Sequence, residues 1–512
     1  MFVSRYLGIK CISFFALILL CSHLLTAERL LVPESILERE ICSVLGVRGD
    51  ELTAELVSEK LTSLELNDAN LRDLRGLEVA QNLEVLILRD NLINDLSPIS
   101  KLPKLRKLDV SGNRISSLRT FGRFSLSQTK SRIVAIQDEL QQKSLKDDYK
   151  ADLVLELSEQ VAKFKLKNNS LTELNLSNNR LLGLSGIEMC DSITWLNVAD
   201  NSLIDLEGIS KLKSLITFYA QGNQLGRVES YEDVNRNKTY DLGEPIQDQS
   251  GNGKRDTDPL VELQSLPRLR NLYLYNNMLK NVDSLDDLSV LSVLLLSGNQ
   301  IETVREIGKL SRLERLSLNI NFIYELNGLE KLENLKHLDL TENRICDLRP
   351  IASLRKLKEL RLQSNHVLEL NPLSRLQYLN TLSLSKNVVV DPYPLNNLKS
   401  LRNLKLSNNR IDLNNPRFNS MFSILEKRGC RIGLTEQFNR NYGLEMLLKS
   451  LTSFSSSNRD LGRFLQEKGY LRFIDFVLDP KINEKNKEDV YLKWDESFKR
   501  GVKIEELDFP DQ

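Results

Sequence analysis

Histidine is nearly missing from this chain: three residues in 512, at His23, His337 and His366. So few imidazoles, with no Cys–His pairing and no Gly-rich phosphate loop, leave little material for nucleophilic or metal-assisted catalysis. His337, near Asp339 and Glu359, reads as ordinary surface chemistry. Net charge is absent too. Lys plus Arg and Asp plus Glu number 70 each, which removes the electrostatic case for a nucleic-acid or anionic-membrane partner. Beyond Leu25 no apolar run is long enough to cross a bilayer.

The first 25 residues are different. Arg5 and Lys10 precede an apolar run from Cys11 to Leu25, broken only by Ser13, Ser22 and His23, and Thr26-Ala27 offers a small residue before Glu28. This pattern predicts a secretory signal peptide over 1–27 and a secreted or extracytoplasmic location, in a periplasm or at a cell surface. Cys21 does not make a lipoprotein site, because Leu20 stands where a small residue is needed.

What fills the rest is a 22-residue period. LEVLILRDNLI from Leu83, LRKLDVSGNRI from Leu105, LTELNLSNNRL from Leu171 and LKHLDLTENRI from Leu335 share the template L-x-x-L-x-L-x-x-N-x-L. Repeats start at Leu61, Leu83 and Leu105, then at Leu171, Ile193 and Leu215. A third block starts at Leu269, Leu291, Leu313, Leu335, Leu357, Leu379 and Leu401, making 13 in all. The central x-L-x-L-x predicts a short strand with leucines inward and alternate residues outward. The Asn at the ninth place can bond backbone groups where the chain turns away; only the first repeat lacks it, with Ala69 instead. Each rung buries about six aliphatic side chains, at roughly 1.5–3 kcal/mol apiece. That is too little to order one rung alone, so stability comes from stacking. Cys42, Cys190, Cys346 and Cys430 stand several rungs apart, beyond the reach of a disulfide, and are expected as buried or half-buried thiols.

The ends need covers. Ile36, Ile41 and Leu45 have helical spacing and suit an N-terminal cap over 28–60. FNSMFSILEKRGCRIGL after the last repeat suits a helix and a short strand. With these ends, the 22-residue spacing and the entry segment VPESILEREICSVLG, residues 30–434 resemble the internalin-like class of bacterial leucine-rich-repeat proteins. The resemblance implies an α/β repeat solenoid: a leucine-rich-repeat horseshoe with parallel short strands on its concave face, a helical N-terminal cap and a small helical C-terminal tail. It also implies extracytoplasmic recognition of a protein through that concave face. No LPxTG-type motif and no immunoglobulin-like segment follows the repeats, so wall attachment and host-cell invasion are not implied.

Three segments do not repeat, and they set the domain reading: repeats 1–3 over 61–118, repeats 4–6 over 171–228, and repeats 7–13 with the C-terminal cap over 261–434. Residues 119–170 are charged and helix-like (IVAIQDELQQ, LVLELSEQVAKF), an excursion or a partner-binding arm. Residues 229–260 carry two similar strings. The first, DVNRNKTYDLGE, places Asp233, Asn235, Asn237, Asp241 and Glu244 at the ligand spacing of an EF-hand loop, with the Thr239 carbonyl available. The second supplies Asp248, Ser250, Asn252 and Asp256, with Gly253 at the turn but Pro259 where a bidentate acid belongs. The pair resembles the tandem, dockerin-like calcium segments of secreted bacterial proteins, and implies Ca²⁺ as a bound ion. The tail, 435–512, has helical faces at Leu444, Leu447, Leu448, Leu451 and Phe454, and again at Leu461, Phe464, Leu465 and Leu471.

The expected function is non-enzymatic binding of a protein partner. The rivals are an enzyme whose catalytic part is the tail, and a purely structural envelope protein. The outward strand positions of repeats five to eight hold Trp195, Tyr219, Tyr273, Tyr275, Val293 and Leu295, the expected partner-binding residues. The first three repeats show more acids outward (Glu65, Asp68, Glu84, Asp90, Asp109), and the last four more bases (Lys336, Lys358, Arg361, Lys386, Arg402, Lys405).

Overall fold

The computed structural model describes residues 29–118, 170–227 and 258–435, with Ile136, Leu153 and Gln437. The segment expected as a signal peptide, nearly all of 119–170, residues 228–257 and the tail from 438 lie outside the described residues.

Every repeat makes the same local choice. Its fourth residue, a leucine or Phe218, is fully buried, and the third to fifth residues form a three-residue strand around it. The strands are β1 Ser63–Glu65, β2 Val85–Ile87, β3 Lys107–Asp109, β4 Glu173–Asn175, β5 Trp195–Asn197, β6 Thr217–Tyr219 and β7 Asn271–Tyr273. They continue as β8 Val293–Leu295, β9 Arg315–Ser317, β10 His337–Asp339, β11 Glu359–Arg361, β12 Thr381–Ser383, β13 Asn403–Lys405 and β14 Arg431–Gly433. Strand order is chain order. The chain returns through short 3-10 turns, such as Leu77–Val79, Ile209–Lys211 and Asn371–Arg375, each of which buries one aliphatic residue (Leu77, Ile209, Leu373). The fold is therefore an open solenoid of parallel strands, with its core between strands and turns.

The chain divides into two units, 1–300 with 309–316 and 301–308 with 317–512. In the first, β1 to β8 pair in parallel, neighbour to neighbour. The pairing Lys107↔Glu173 passes over residues 119–170, and Thr217↔Asn271 passes over 228–257. Both inserted segments thus leave the stack unbroken. In the second unit, β10 to β14 pair in the same way. β9 spans the division.

The ninth-place asparagines form the expected ladder. Asn299 accepts from the Leu279 N–H at 3.0 Å and donates to the Leu274 carbonyl at 3.0 Å and its own Leu296 carbonyl at 2.9 Å. Asn113, Asn223, Asn343, Asn365, Asn387 and Asn409 repeat this pattern while almost fully buried. Asn91 serves the first repeat, accepting from Ala69 and Leu71. The ladder also has a last rung that the template does not announce. Gln437 accepts from Ile411 N–H at 3.4 Å and donates to the Leu406 carbonyl at 3.0 Å and the Leu434 carbonyl at 3.1 Å. A longer amide takes the place of Asn beyond β14.

One backbone requirement is hidden in the diversity of the eighth place. Asp68, Asp90, Asn178, Asp200, Asn276, Ile320, Glu342, Ser364, Lys386 and Asn408, with Gly112, Gly222 and Gly298, all sit at φ between 49° and 68°. This is the left-handed region, which Asn, Asp and Gly enter at least cost. Ile320, Glu342, Ser364 and Lys386 are the exceptions, and Ile320 alone among them is β-branched.

At the N-terminal end, helix α1, Ser35–Leu45, buries Leu37, Ile41 and Cys42 and stops at Gly46. Helix α2, Ala54–Lys60, is capped by the Thr53 hydroxyl, which accepts from Leu56 N–H at 3.2 Å. At the other end, α3, Pro416–Lys427, starts with a capping Asn415 and Pro416 at its first turn, and buries Phe418, Met421, Phe422 and Leu425. Among the described residues no disulfide forms: Cys42, Cys190 and Cys430 are buried thiols and Cys346 is half-buried. Burial pushes the Cys190 thiol up to about 12, so it is inert at neutral pH.

Candidate partner-binding face

The expected aromatic residues meet on the outward sheet face of the first unit. Register places Trp195, Thr217, Asn271 and Val293 in one column, and Asn197, Tyr219, Tyr273 and Leu295 in the next. The Tyr219 and Tyr273 rings stack with centroids 4.2 Å apart and planes 10° from parallel. Trp195, one column across, tilts against Tyr219 at 5.5 Å and 53°. Because the rings cover one another, all three are half-buried rather than fully exposed. Burial, and then a hydrogen bond with Tyr219, raise the Tyr273 phenol above its ordinary value. Leu295 and Val293 continue the two columns, and Tyr275 lies just past the end of β7; all three are half-buried. In the column of Trp195, the Asn271 amide donates to the Thr217 hydroxyl at 3.0 Å.

A cleft of about 410 Å³ opens beside Trp195, and sequence reasoning missed it. Arg89, Lys107, Leu108, Asp109, Glu173, Asn175, Thr194 and Trp195 line it. Its charges cancel in pairs: Arg89 Nε lies 2.8 Å from Asp109, and Lys107 Nζ 3.0 Å from Glu173. Asp109 is 4% exposed. Burial pushes its carboxyl up, but hydrogen bonds from Ser111, Arg89 and Asn175 outweigh that and hold it below the usual range. The signal was present in the sequence only as an Asp at the fifth place and an Arg at the seventh place one repeat earlier. Their pairing depends on side-chain reach, since the register partner of Asp109 is Ile87.

The second unit presents a different face. His337 Nδ1 lies 3.1 Å from Glu359, and Arg361 lies 2.6 Å from Glu359 and 3.6 Å from Asp339. Burial raises the Glu359 carboxyl, but His337 and Arg361 together hold it below its usual value. His366, at the tenth place, is half-buried, and burial with Arg344 nearby lowers its pKa to about 4. The calcium-loop residues Asp233, Asn235, Asn237, Thr239, Asp241, Glu244, Asp248, Ser250, Asn252 and Asp256 lie outside the described residues. Among the described residues no helix is long and apolar enough to cross a membrane.

Two family models match the chain, both described as leucine-rich repeats: a two-copy model over residues 81–122 and a single-repeat model over 167–189. No curated relative matches the sequence. Among solved structures, the chain is similar to the internalin InlF of Listeria monocytogenes, at 19% identity and TM-score 0.53, over 81% of this chain and 93% of that one. It is similar to a leucine-rich-repeat protein of Leptospira interrogans at 23% identity and TM-score 0.53, over 74% of this chain and 85% of that one. A third likeness is to the Toll–Spatzle complex of Drosophila, at 18% identity and TM-score 0.52, over 76% of this chain and 46% of that one. At these identities the likeness is one of fold.

Proposed function

We propose that this chain, which has a leucine-rich-repeat fold and matches leucine-rich-repeat models over 81–122 and 167–189, is a secreted or envelope-associated scaffold binding a protein partner through the outward, concave face of its strands. One observation carries the proposal: Trp195, Tyr219 and Tyr273 form a contiguous cluster on the face of β5, β6 and β7. Rigid aromatic side chains give large contact area at low entropy cost and are enriched in interface hot spots. The fold has no need of them there, because the same columns carry polar residues in other repeats. Toll, one of the similar structures, is seen in complex with Spatzle. The N-terminal apolar segment supports export. The role is binding rather than catalysis. A pull-down with the intact protein as bait, followed by Trp195→Ala and Tyr273→Ala, tests this. A double variant that stays folded and binds its captured partner unchanged would refute it.

We also propose that 229–260 binds Ca²⁺ through Asp233, Asn235, Asn237, Asp241 and Glu244, with the Thr239 carbonyl. Hard oxygen donors at alternate positions suit this ion. Calorimetry of the wild type and Glu244→Ala with Ca²⁺ checks it: the variant is expected to lose most of the heat, and identical heats would remove the first loop.

A further inference from the structure

We propose that the cleft beside Trp195 is a binding subsite for a neutral saccharide. It extends the partner-binding reading through Trp195, which belongs to both, while the other residues are distinct.

The argument starts from charge. Arg89, Lys107, Asp109 and Glu173 all line the cleft, yet the two ion pairs at 2.8 and 3.0 Å leave no excess of either sign. A cationic or an anionic ligand would gain from one partner of each pair what it loses to the other. Such a cleft still offers both kinds of hydrogen-bonding group at close quarters. Guanidinium and ammonium donate, carboxylates accept, the Asn175 amide has a second N–H beyond the one it gives Asp109, and the Thr194 hydroxyl, which donates to the Thr172 carbonyl at 3.2 Å, can accept. Neighbouring hydroxyls on one ring are the neutral chemistry that can use donors and acceptors side by side.

Positioning comes next. Asp109 is locked by Ser111 Oγ at 2.7 Å and Ser111 N–H at 3.1 Å as well as by Arg89, and Asn175 is tied to Ser177 at 2.9 Å. Polar groups held in place by the protein bind without further loss of rotamer entropy. The wall of the cleft completes the set. Trp195 brings a half-buried indole to a lining that is polar apart from Leu108, braced by Tyr219. An aromatic face packs against the C–H face of a pyranose, while the polar groups take its hydroxyls. A volume of about 410 Å³ admits a sugar unit or two.

The chain has two tryptophans, Trp195 and Trp494. The full protein carrying Trp494→Phe therefore reports Trp195 emission alone. It is titrated with lactose, maltotriose, cellotriose, mannotriose and chitotriose, with galacturonic acid and glucosamine as charged comparators. At least one neutral sugar is expected to change the emission saturably, with a Kd of about 1 mM or below, and neither charged comparator to do better. Glu173→Ala, which removes a half-exposed carboxylate, is expected to weaken that sugar about tenfold, and Tyr273→Ala less than about twofold. The inference is overturned if no neutral sugar gives a saturable change, or if Glu173→Ala binds as the wild type does. If the sugars fail while a captured protein partner still depends on Tyr273, the cleft belongs to a protein interface and the partner-binding reading stands alone. If a sugar binds and that partner ignores Trp195 and Tyr273, the reverse holds.

Discussion

The sheet face of β5–β8 and that of β10–β13 are built on one backbone and carry different chemistry. Both rest on the same buried leucines, the same asparagine ladder and the same left-handed eighth residue. The first unit places Trp195, Tyr219, Tyr273 and Leu295 at its third and fifth places. The second places His337, Asp339, Glu359, Arg361, Thr381, Ser383, Asn403 and Lys405 there. Nothing in the fold demands either set. The repeat therefore separates its duties: the inward places stabilise the fold, and the outward ones are left to vary.

The sharpest way to break the comparison is to attack what the two faces share. Leu272→Ala under Tyr273 and Leu360→Ala under the charged network each empty a fully buried site. Each is expected to cost about 2–5 kcal/mol, read from urea midpoints. Similar losses confirm a common interior, whereas a small loss at one site would show that its rungs repack. The faces should separate instead in binding. Trp195→Ala or Tyr273→Ala is expected to cost a captured protein partner about 2 kcal/mol or more. His337→Ala, in the same titration, is expected to cost under about 0.5 kcal/mol. If His337→Ala costs as much, recognition is not confined to the aromatic face.

Acid should also tell the units apart. The folded second unit holds His366 at about 4, against an ordinary value of 6.5. Between those values the unfolded chain takes up a proton that the fold refuses, so stability is lost as pH falls from about 6.5 to about 4. Allowing for its partial exposure, the loss is about 2 kcal/mol. In the first unit, Asp109 is depressed below 3.8. Its contribution is fully present above that value and goes only as pH falls through the lower, folded one. Hydrogen exchange followed from pH 7 to pH 4 should show the repeats around His366 loosening first, and His366→Asn should remove that slope. Uniform loosening of both units would contradict this.

How much was legible follows from the same division. The leucine and asparagine columns have one answer each, so the spacing located every strand from Ser63–Glu65 to Asn403–Lys405. The aromatic cluster could be foreseen because register in a 22-residue repeat is arithmetic. The cleft could not, since Arg89 meets Asp109 and Lys107 meets Glu173 through side-chain reach, with the second pair separated by a long insertion. Gln437 escaped because its rung, GCRIGLTEQ, keeps only two aliphatic places of the template and ends in a longer amide. The eighth place escaped because a backbone angle, not a side-chain type, is what repeats there.

That angle gives the smallest effect. Ile320 is a β-branched residue at φ 58°, 52% exposed and with its N–H bonded to the Thr341 carbonyl at 2.8 Å. Its branches crowd the backbone in the left-handed region, while the exposed side chain gains little from burial. Ile320→Asn keeps the bonded N–H and places there a residue that Asn178, Asn276 and Asn408 show to be at home. It is expected to stabilise the second unit by about 1 kcal/mol. Ile320→Gly relieves the same crowding but loosens the unfolded chain, so its gain should be nearer zero. The converse change in the first unit, Asn276→Ile, should cost about 1–2 kcal/mol. Denaturant midpoints for the three variants decide the matter. If Ile320→Asn destabilises, the side chain is held by a contact worth more than the strain.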